Sequence, residues 1–512
     1  NYYNQYENSL LARLLYSDRL LIVTGAIIFP LLALGVASKL VDIEPVTMFV
    51  LLVLGFLSGI CLIKNLMYSP LVSYLIIQLM FIWIFFNETI RATAGINLKL
   101  HAIALGLSVL TASYYLFKNF DQIWKNFSIF RFLFLFFIAN IFYLLFYHSD
   151  FRLSAVSAGY PIAFASDFSD ENASFIMFLD SLCPLVSVII PLVALLKVKS
   201  ENDFSKKLNR IILYFSCGTL FYLICSVLNG FNFRVPGFGI FITAFLFVFL
   251  GFKLYRDNLK NKENPFIDRI LSLLILIDLI IILIVINKTG LLGFIVSLIL
   301  FFSLCIFCKI KMPFLSFNIN KNNLFSLKTI LYSVLILGLI GILTTSFADV
   351  INDKIQYFSE GYSSLSTFKR RQTNWYYFIQ NWIEQLSMFT AMFGFGTGAS
   401  RESIFYISAM QSNNNLVQTT HNHYMDMFYD YGMVALLYFS AIFSVFINNI
   451  KNIINKSTSE NLKLFSIISA SILTFYLIYH MADGVRVTNA IILFSVLGLL
   501  EAVKYNFREK SA

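Results

Sequence analysis

The sequence predicts an all-α polytopic membrane protein of about 14 transmembrane helices (12–14) with a large helical extracytoplasmic loop. Two observations carry that reading. Hydrophobic residues make up 58% of the 512, charged residues only 13%, and Phe alone occurs 56 times. Soluble domains sit near 45–50% apolar and about 25% charged, so lipid is the solvent for most of this chain. The second observation is the length of the apolar runs, many of which reach the ~20 residues that a ~30 Å hydrocarbon core requires. Disorder, a secreted disulfide scaffold and a cytosolic enzyme are excluded.

Taken in order, the predicted spans lie at roughly 20–40, 45–63, 69–87, 98–117, 129–148, 174–196 and 210–229. They continue at roughly 237–255, 267–287, 290–308, 328–348, 429–449, 464–481 and 487–504. The 98–117 span is flanked by charge, and 267–308 reads either as a hairpin or as a re-entrant pair. The first apolar run is long enough to act as its own insertion signal. Basic residues set the orientation, because Lys and Arg collect in cytoplasmic loops. Most of the 38 fall on one side when the N-terminus is placed inside, including Lys197, Lys199, Lys206, Lys207 and Arg210. An even number of spans returns Lys504, Arg508 and Lys510 to that side. Both termini are therefore expected in the cytoplasm, and the net charge of +10 reads as membrane topology, not as nucleic-acid binding. The six cysteines lie in or beside apolar segments, as free thiols do. Cys305 and Cys308 form a CxxC without a second pair, too little for a zinc or redox site.

This organisation gives three parts: 1–348 with helices 1–11, 349–428 as a large periplasmic loop, and 429–512 with helices 12–14 and a cytoplasmic tail. Loops of that length without a structural reason are usually functional. A shorter outside segment, 149–173, carries an acidic excess.

Within the large loop, Phe368, Trp375, Ile379, Trp382, Leu386 and Phe389 recur at helical spacing and predict an interfacial helix. Arg371 takes the remaining position on that stripe, beside Arg370. One reading is a snorkelling side chain that reaches headgroups. The favoured reading aims the guanidinium at an anionic group near the bilayer, since its planar fork suits bidentate phosphate contacts. Gly394-Phe395-Gly396-Thr397-Gly398 breaks the helix, either as a simple turn or as an anion nest. Arg401 adds another cation. Thr420 is the expected N-cap of the next helix, which puts His421 in its first turn with Tyr424, Phe428 and Gly432 on one face. A dipole at that end keeps an imidazole neutral and able to accept a proton. Lys288 stands in the tight turn Asn287-Lys288-Thr289-Gly290, and Asp278 lies in mid-span, a costly place in lipid.

These residues resemble the bacterial O-antigen polymerase (Wzy-type) and O-antigen ligase superfamily. His421-Asn422-His423-Tyr424-Met425 with Gly432 is similar to its His-Asn-x-Tyr-Leu…Gly signature. Arg371 to Trp375 followed by Gly394 and Gly396 resembles its Arg-x-x-x-Trp…Gly-x-Gly segment, and 287–290 its Ser-Arg-x-Gly turn, with Lys288 in place of Arg. The motif resemblance covers residues 287–435.

The resemblance implies inverting, metal-independent glycosyl transfer on the periplasmic face of the bacterial inner membrane, without a cofactor. The donor and acceptor are oligosaccharides linked to undecaprenyl pyrophosphate. His421 would orient or deprotonate the acceptor hydroxyl. Arg371 would stabilise the leaving pyrophosphate, helped by Arg370, Lys288 and Arg401. Asn422, Tyr424 and His423 would support substrate binding. Partners beyond the bilayer would be a chain-length regulator and a flippase. Span number and length favour a polymerase over a ligase that transfers glycan to lipid A-core. A lipid-linked oligosaccharide flippase remains an alternative, although no internal repeat is visible. So does a polyprenyl-phosphate-sugar glycosyltransferase using Asp42 and Glu44, and so does a non-catalytic assembly protein.

Overall fold

A computed structural model describes residues 116–149, 184–189, 192, 238–258, 265–285, 288–310, 366–410, 420, 422–481 and 487–509. The described residues are almost all helical. The expected spans at 20–40, 45–63, 69–87, 210–229 and 328–348 lie outside them, as do Asp42 and Glu44. Helix α1 is Ser128–Phe146, followed by α2 (Phe238–Asn258), α3 (Pro265–Val285) and α4 (Lys288–Phe307). The large loop contributes α5 (Ser366–Glu384), α6 (Met388–Phe393) and α7 (Ala399–Met410). Then come α8 (His423–Tyr431), a 3-10 turn (Gly432–Val434), α9 (Ala435–Ile454), α10 (Glu460–Tyr479) and α11 (Val487–Glu509).

Four helices among the described residues are long and apolar enough to cross a bilayer: Ser128–Phe146, Gly290–Phe307, His423–Ile454 and Glu460–Tyr479. The third is 32 residues long, well beyond the ~20 that a bilayer needs. It is not one straight rod. Gly432 ends α8 with φ +54°, and the twenty residues of α9 that follow are by themselves about 30 Å long. The expected span at 429–449 therefore starts after a break that sequence hydropathy does not show. The expected helix pair at 267–308 is present as α3 and α4, separated by residues 286 and 287, with Lys288 as the first residue of α4. Asp278 is fully buried in the middle of α3.

Helix α10 is the hub. It packs against α2, α4, α9 and α11, and most of its length is buried inside the protein. In lipid, apolar contact gives helices little reason to choose one another over acyl chains, so close fit and interhelical hydrogen bonds decide. Gly293 of α4 supplies close fit: a Cβ there would stand 3.2 Å from the Phe475 ring and 3.4 Å from the Phe475 carbonyl oxygen. Small hydroxyls supply the hydrogen bonds. Asn449 of α9 donates to Ser469 (3.0 Å) and Asn452 donates to Ser466 (3.0 Å). From α11, the buried Lys504 ammonium donates to the Asn449 side chain and pairs with Glu501. The Cys305 and Cys308 thiols are free, one buried and one half-buried.

The Lys504 cluster generates a stability prediction. Lys504→Met removes the cation and leaves the Glu501 carboxylate buried beside it, an arrangement that costs about 3–5 kcal/mol. Thermal unfolding in detergent should shift down strongly for Lys504→Met and recover most of the loss when Glu501→Gln is added. Equal melting of wild type and the single variant would rule the pairing out.

Candidate active site

The site is built on α8, and α8 is fixed at both ends. At its N-terminus the expected cap is corrected. Asn422, not Thr420, is the N-cap: its side-chain oxygen accepts from the Met425 N–H (3.1 Å), and the helix starts at His423. Asn is a stronger cap than Thr and stands two positions later. Position 421 therefore precedes the helix instead of standing in its first turn, so the dipole argument for a neutral His421 no longer applies. His421 itself lies outside the described residues.

The cap segment docks on the C-terminal end of α10, where the last carbonyls of a helix have no partner within it. Tyr424 donates its hydroxyl to Leu477 O (2.9 Å), the His423 N–H donates to His480 O (3.2 Å), and Asn422 Nδ2 donates to Met481 O (3.1 Å). Thr420 turns the chain: its hydroxyl donates to the Asp426 carboxylate (2.7 Å) and accepts from the Asn422 N–H (3.0 Å). His423 is buried against Tyr438, Phe439 and His480. Among the described residues its Nε2 has no hydrogen-bond partner. Tyr424 and Phe428 both stack on Phe439, as the shared face predicted for them requires. Asn422 and Tyr424 thus spend their polar atoms on holding this segment in place.

Helix α5 comes against the same segment. Trp375 donates its indole N–H to Thr420 O (2.5 Å), the carbonyl directly before His421. The buried face of α5 differs from the predicted stripe. Phe378 and Asn374 are buried and Trp382 is half-buried, whereas Ile379, Leu386 and Phe389 are exposed. The pattern of aromatic residues runs almost around this helix, so spacing alone selects the wrong side. Phe378 and Trp382 pack on the Tyr429 ring of α8, with centroids at 4.6 and 5.9 Å. Position 371 lies in α5, one turn before Trp375 in the sequence. Nothing is described of the Arg370, Arg371 and Lys288 side chains. Arg401 is half-buried in the first turn of α7.

At the other end of α8, the glycine-rich turn closes over residues 429–432. Phe395 N–H donates to Tyr429 O (2.9 Å) and Gly396 N–H to Asp430 O (3.0 Å). The anion nest predicted as one reading of this turn exists, but its anion belongs to the protein. The buried Asp430 carboxylate accepts from the Gly398 N–H (3.2 Å) and the Ser400 N–H (2.6 Å), capping α7. Gly394 and Gly432 face each other, with φ +72° and +54°. A Cβ on Gly394 would strike the Asp430 carbonyl, and one on Gly432 would strike Gly394 N and Ala391 O. Helix α1 joins this turn too. Tyr143 donates to Phe393 O (2.6 Å) and Tyr147 to Gly394 O (2.9 Å), and burial pushes the Tyr147 phenol up so that it remains a donor. Ser149 N–H donates to Thr397 O (3.0 Å), and the Ser149 hydroxyl donates to Glu402.

The cap on one flank of α8 and the glycine turn on the other enclose a segment that matches a known family. Residues 271–440 match the family model described as O-antigen ligase. Over that third of the chain the sequence is similar to the O-antigen ligase family. Family members act in the assembly of O-antigen and related surface glycans, and the matched stretch runs from α3 into the first turns of α9. The anchors on α10 at Leu477, His480 and Met481 lie beyond it. A search of curated proteins gives no match. The matched stretch contains Lys288, Arg371, Arg401 and His421, and within it hydrogen bonds connect Trp375 through Thr420 to Asn422. Sequence reasoning missed Asp430, Trp375 as a tether and the α10 carbonyls. For Asp430 the available signal was a carboxylate two residues before a helix-breaking glycine.

Asp430→Ala strands two buried N–H groups and should destabilise the protein by about 2–4 kcal/mol. Asp430→Asn, which keeps one acceptor oxygen, should lose less. Melting in detergent orders the three proteins, and an Asp430→Ala protein as stable as wild type would show that the carboxylate does not clamp the turn.

Proposed function

We propose that this protein polymerises oligosaccharide repeat units carried on undecaprenyl pyrophosphate, at the periplasmic face of the inner membrane. The observation that carries the reading is the Trp375 to Thr420 hydrogen bond, which ties the arginine-bearing helix to the residue before His421. A pyrophosphate leaving group and an attacking hydroxyl must be served at one place. That bond supports the reading because it joins the two chain segments on which these residue types stand.

In the proposed reaction the acceptor hydroxyl oxygen forms a bond to the donor's anomeric carbon from the side opposite the pyrophosphate. The carbon–oxygen bond to pyrophosphate breaks, the bonding pair leaves with the phosphate oxygen, and configuration inverts. His421 takes the hydroxyl proton. Arg371 meets the charge that develops on the leaving oxygen, with Arg370, Lys288 and Arg401 supplying further positive charge. Asn422, His423 and Tyr424 position the His421 segment on α10. No step in this scheme requires a group that the chain itself does not supply.

A ligase that passes the glycan to lipid A-core is favoured by the description of the matching family and uses the same chemistry with a different acceptor. Surface polysaccharide from a strain lacking the gene separates the two by gel banding. A polymerase predicts loss of the ladder with a single repeat left on the core. A ligase predicts a bare core and accumulated lipid-linked polymer. Intermediates trapped in the cytoplasmic leaflet would contradict both and make the protein a transporter.

Complementation should fail with His421→Ala, where loss of a general base costs about 10²–10⁴ in rate. Arg371→Ala should lose about 10²–10³ through the missing charge. Arg371→Lys should retain part of the activity, since it keeps the charge and loses the bidentate fork. A full ladder with His421→Ala would overturn the assignment.

A further inference from the structure

Helix α6 has a property that the catalytic reading does not use. None of its six residues is buried, and four of them are Met388, Phe389, Met392 and Phe393, all exposed. A helix this short does not hold itself together in water. It is closed at its start by a reciprocal cap, in which Ser387 Oγ accepts from the Thr390 N–H (3.1 Å) and Thr390 Oγ1 accepts from the Ser387 N–H (2.7 Å). The cap fixes the helix, while its apolar side chains stay largely exposed.

The location of this patch identifies what covers it. Phe393 O is held by Tyr143 in the last turn of α1, and the Phe389 ring packs edge-on against Tyr147 directly after that helix (5.8 Å). At the same end, α1 exposes Phe142, Leu145 and Phe146. Helix α1 has 19 residues, about 28 Å at 1.5 Å per residue, so a bilayer that covers its apolar length ends at this level. The exposed apolar residues of α6 thus stand beside those at the end of a transmembrane helix. We infer that α6 lies in the adjoining leaflet, with Met388, Phe389, Met392 and Phe393 inserted at the boundary between acyl chains and headgroups. Apolar helices of this kind bind the interface through their buried area.

This docking fixes the height of the site. The glycine turn begins directly after Phe393, and Trp375, Thr420 and Asn422 belong to elements tied to it. They are therefore held at headgroup level. The inference rests on α6 and α1 alone and survives if the proposed chemistry fails.

Spin labels test it in the full-length protein reconstituted in phosphatidylethanolamine and phosphatidylglycerol vesicles. The six natural cysteines are replaced by serine, and one label is placed at Met388, Met392 or the exposed Gln380. The expected result is high collision with oxygen and low collision with a water-soluble nickel chelate at 388 and 392, with the reverse at 380. High nickel accessibility at 388 and 392 would place α6 in water and overturn the inference. Low accessibility to both reagents would show that protein covers the face, and would overturn it equally. If the cysteine-free background does not fold, Phe389→Trp in the natural sequence gives a second reading. Its additional fluorescence should be quenched by lipids brominated near the top of the acyl chain, and absence of extra quenching counts against the inference.

Discussion

The buried Asp430 carboxyl group is the constraint on which the segment from α6 to α8 depends. A carboxyl group taken out of water must find hydrogen-bond partners, since a buried polar group without them is costly. Here the donors are two backbone N–H groups, those of Gly398 and Ser400, at the start of α7. They reach the carboxylate because the chain between Gly394 and Gly398 adopts backbone angles that side chains resist. The close approach of Gly394 to Gly432 leaves no space for a Cβ on either. One polar contact thereby connects α6, α7 and α8, and the Tyr429 ring next to it receives Phe378 and Trp382 of α5 and stacks on Phe395.

This platform meets the membrane part through few contacts of defined direction. Helix α10, buried among four neighbours, ends at the level of the platform and offers its last carbonyls to Tyr424, His423 and Asn422. A helix end in an apolar setting leaves such carbonyls costly unless paired, so the docking of the cap segment satisfies both partners. The break at Gly432 has the same logic. It lets α8 pack sideways against α5 and α7 while α9 crosses the bilayer at its own length. Tyr143 of α1 and Tyr147, directly after it, hold the platform from a second side.

Much of this was legible in the sequence. Helices coincide with the predicted runs at α1, α2, α3, α4, α10 and α11, and of these α1, α4 and α10 are long and apolar enough to cross a bilayer. The helix that carries Trp375 and Trp382 also followed from spacing. The rest depends on contacts between distant residues. Aromatic residues surround α5, and only the position of Tyr429 decides that Phe378 is buried and Ile379 exposed. Thr420 and Asn422 are both good caps, and the α10 carbonyls, nearly sixty residues away, favour Asn422. The glycine turn announced an anion site, and no local pattern could say that the anion is Asp430. Where the sequence was informative, one element sufficed to decide; where it misled, two distant elements shared the decision.

The central claim is that Trp375 of α5 and Thr420, before α8, are held together, and the proposed function requires positions 371 and 421 to adjoin. Cross-linking measures this directly. Cysteines placed at 371 and 421 in otherwise cysteine-free protein would be treated in native membranes with a short bifunctional maleimide, beside a control pair at 380 and 421. The account predicts efficient linkage of 371 to 421 and none for the control, with linkage at 371 reduced when Trp375→Phe removes the indole donor. No linkage at 371, or equal linkage for both pairs, would contradict it.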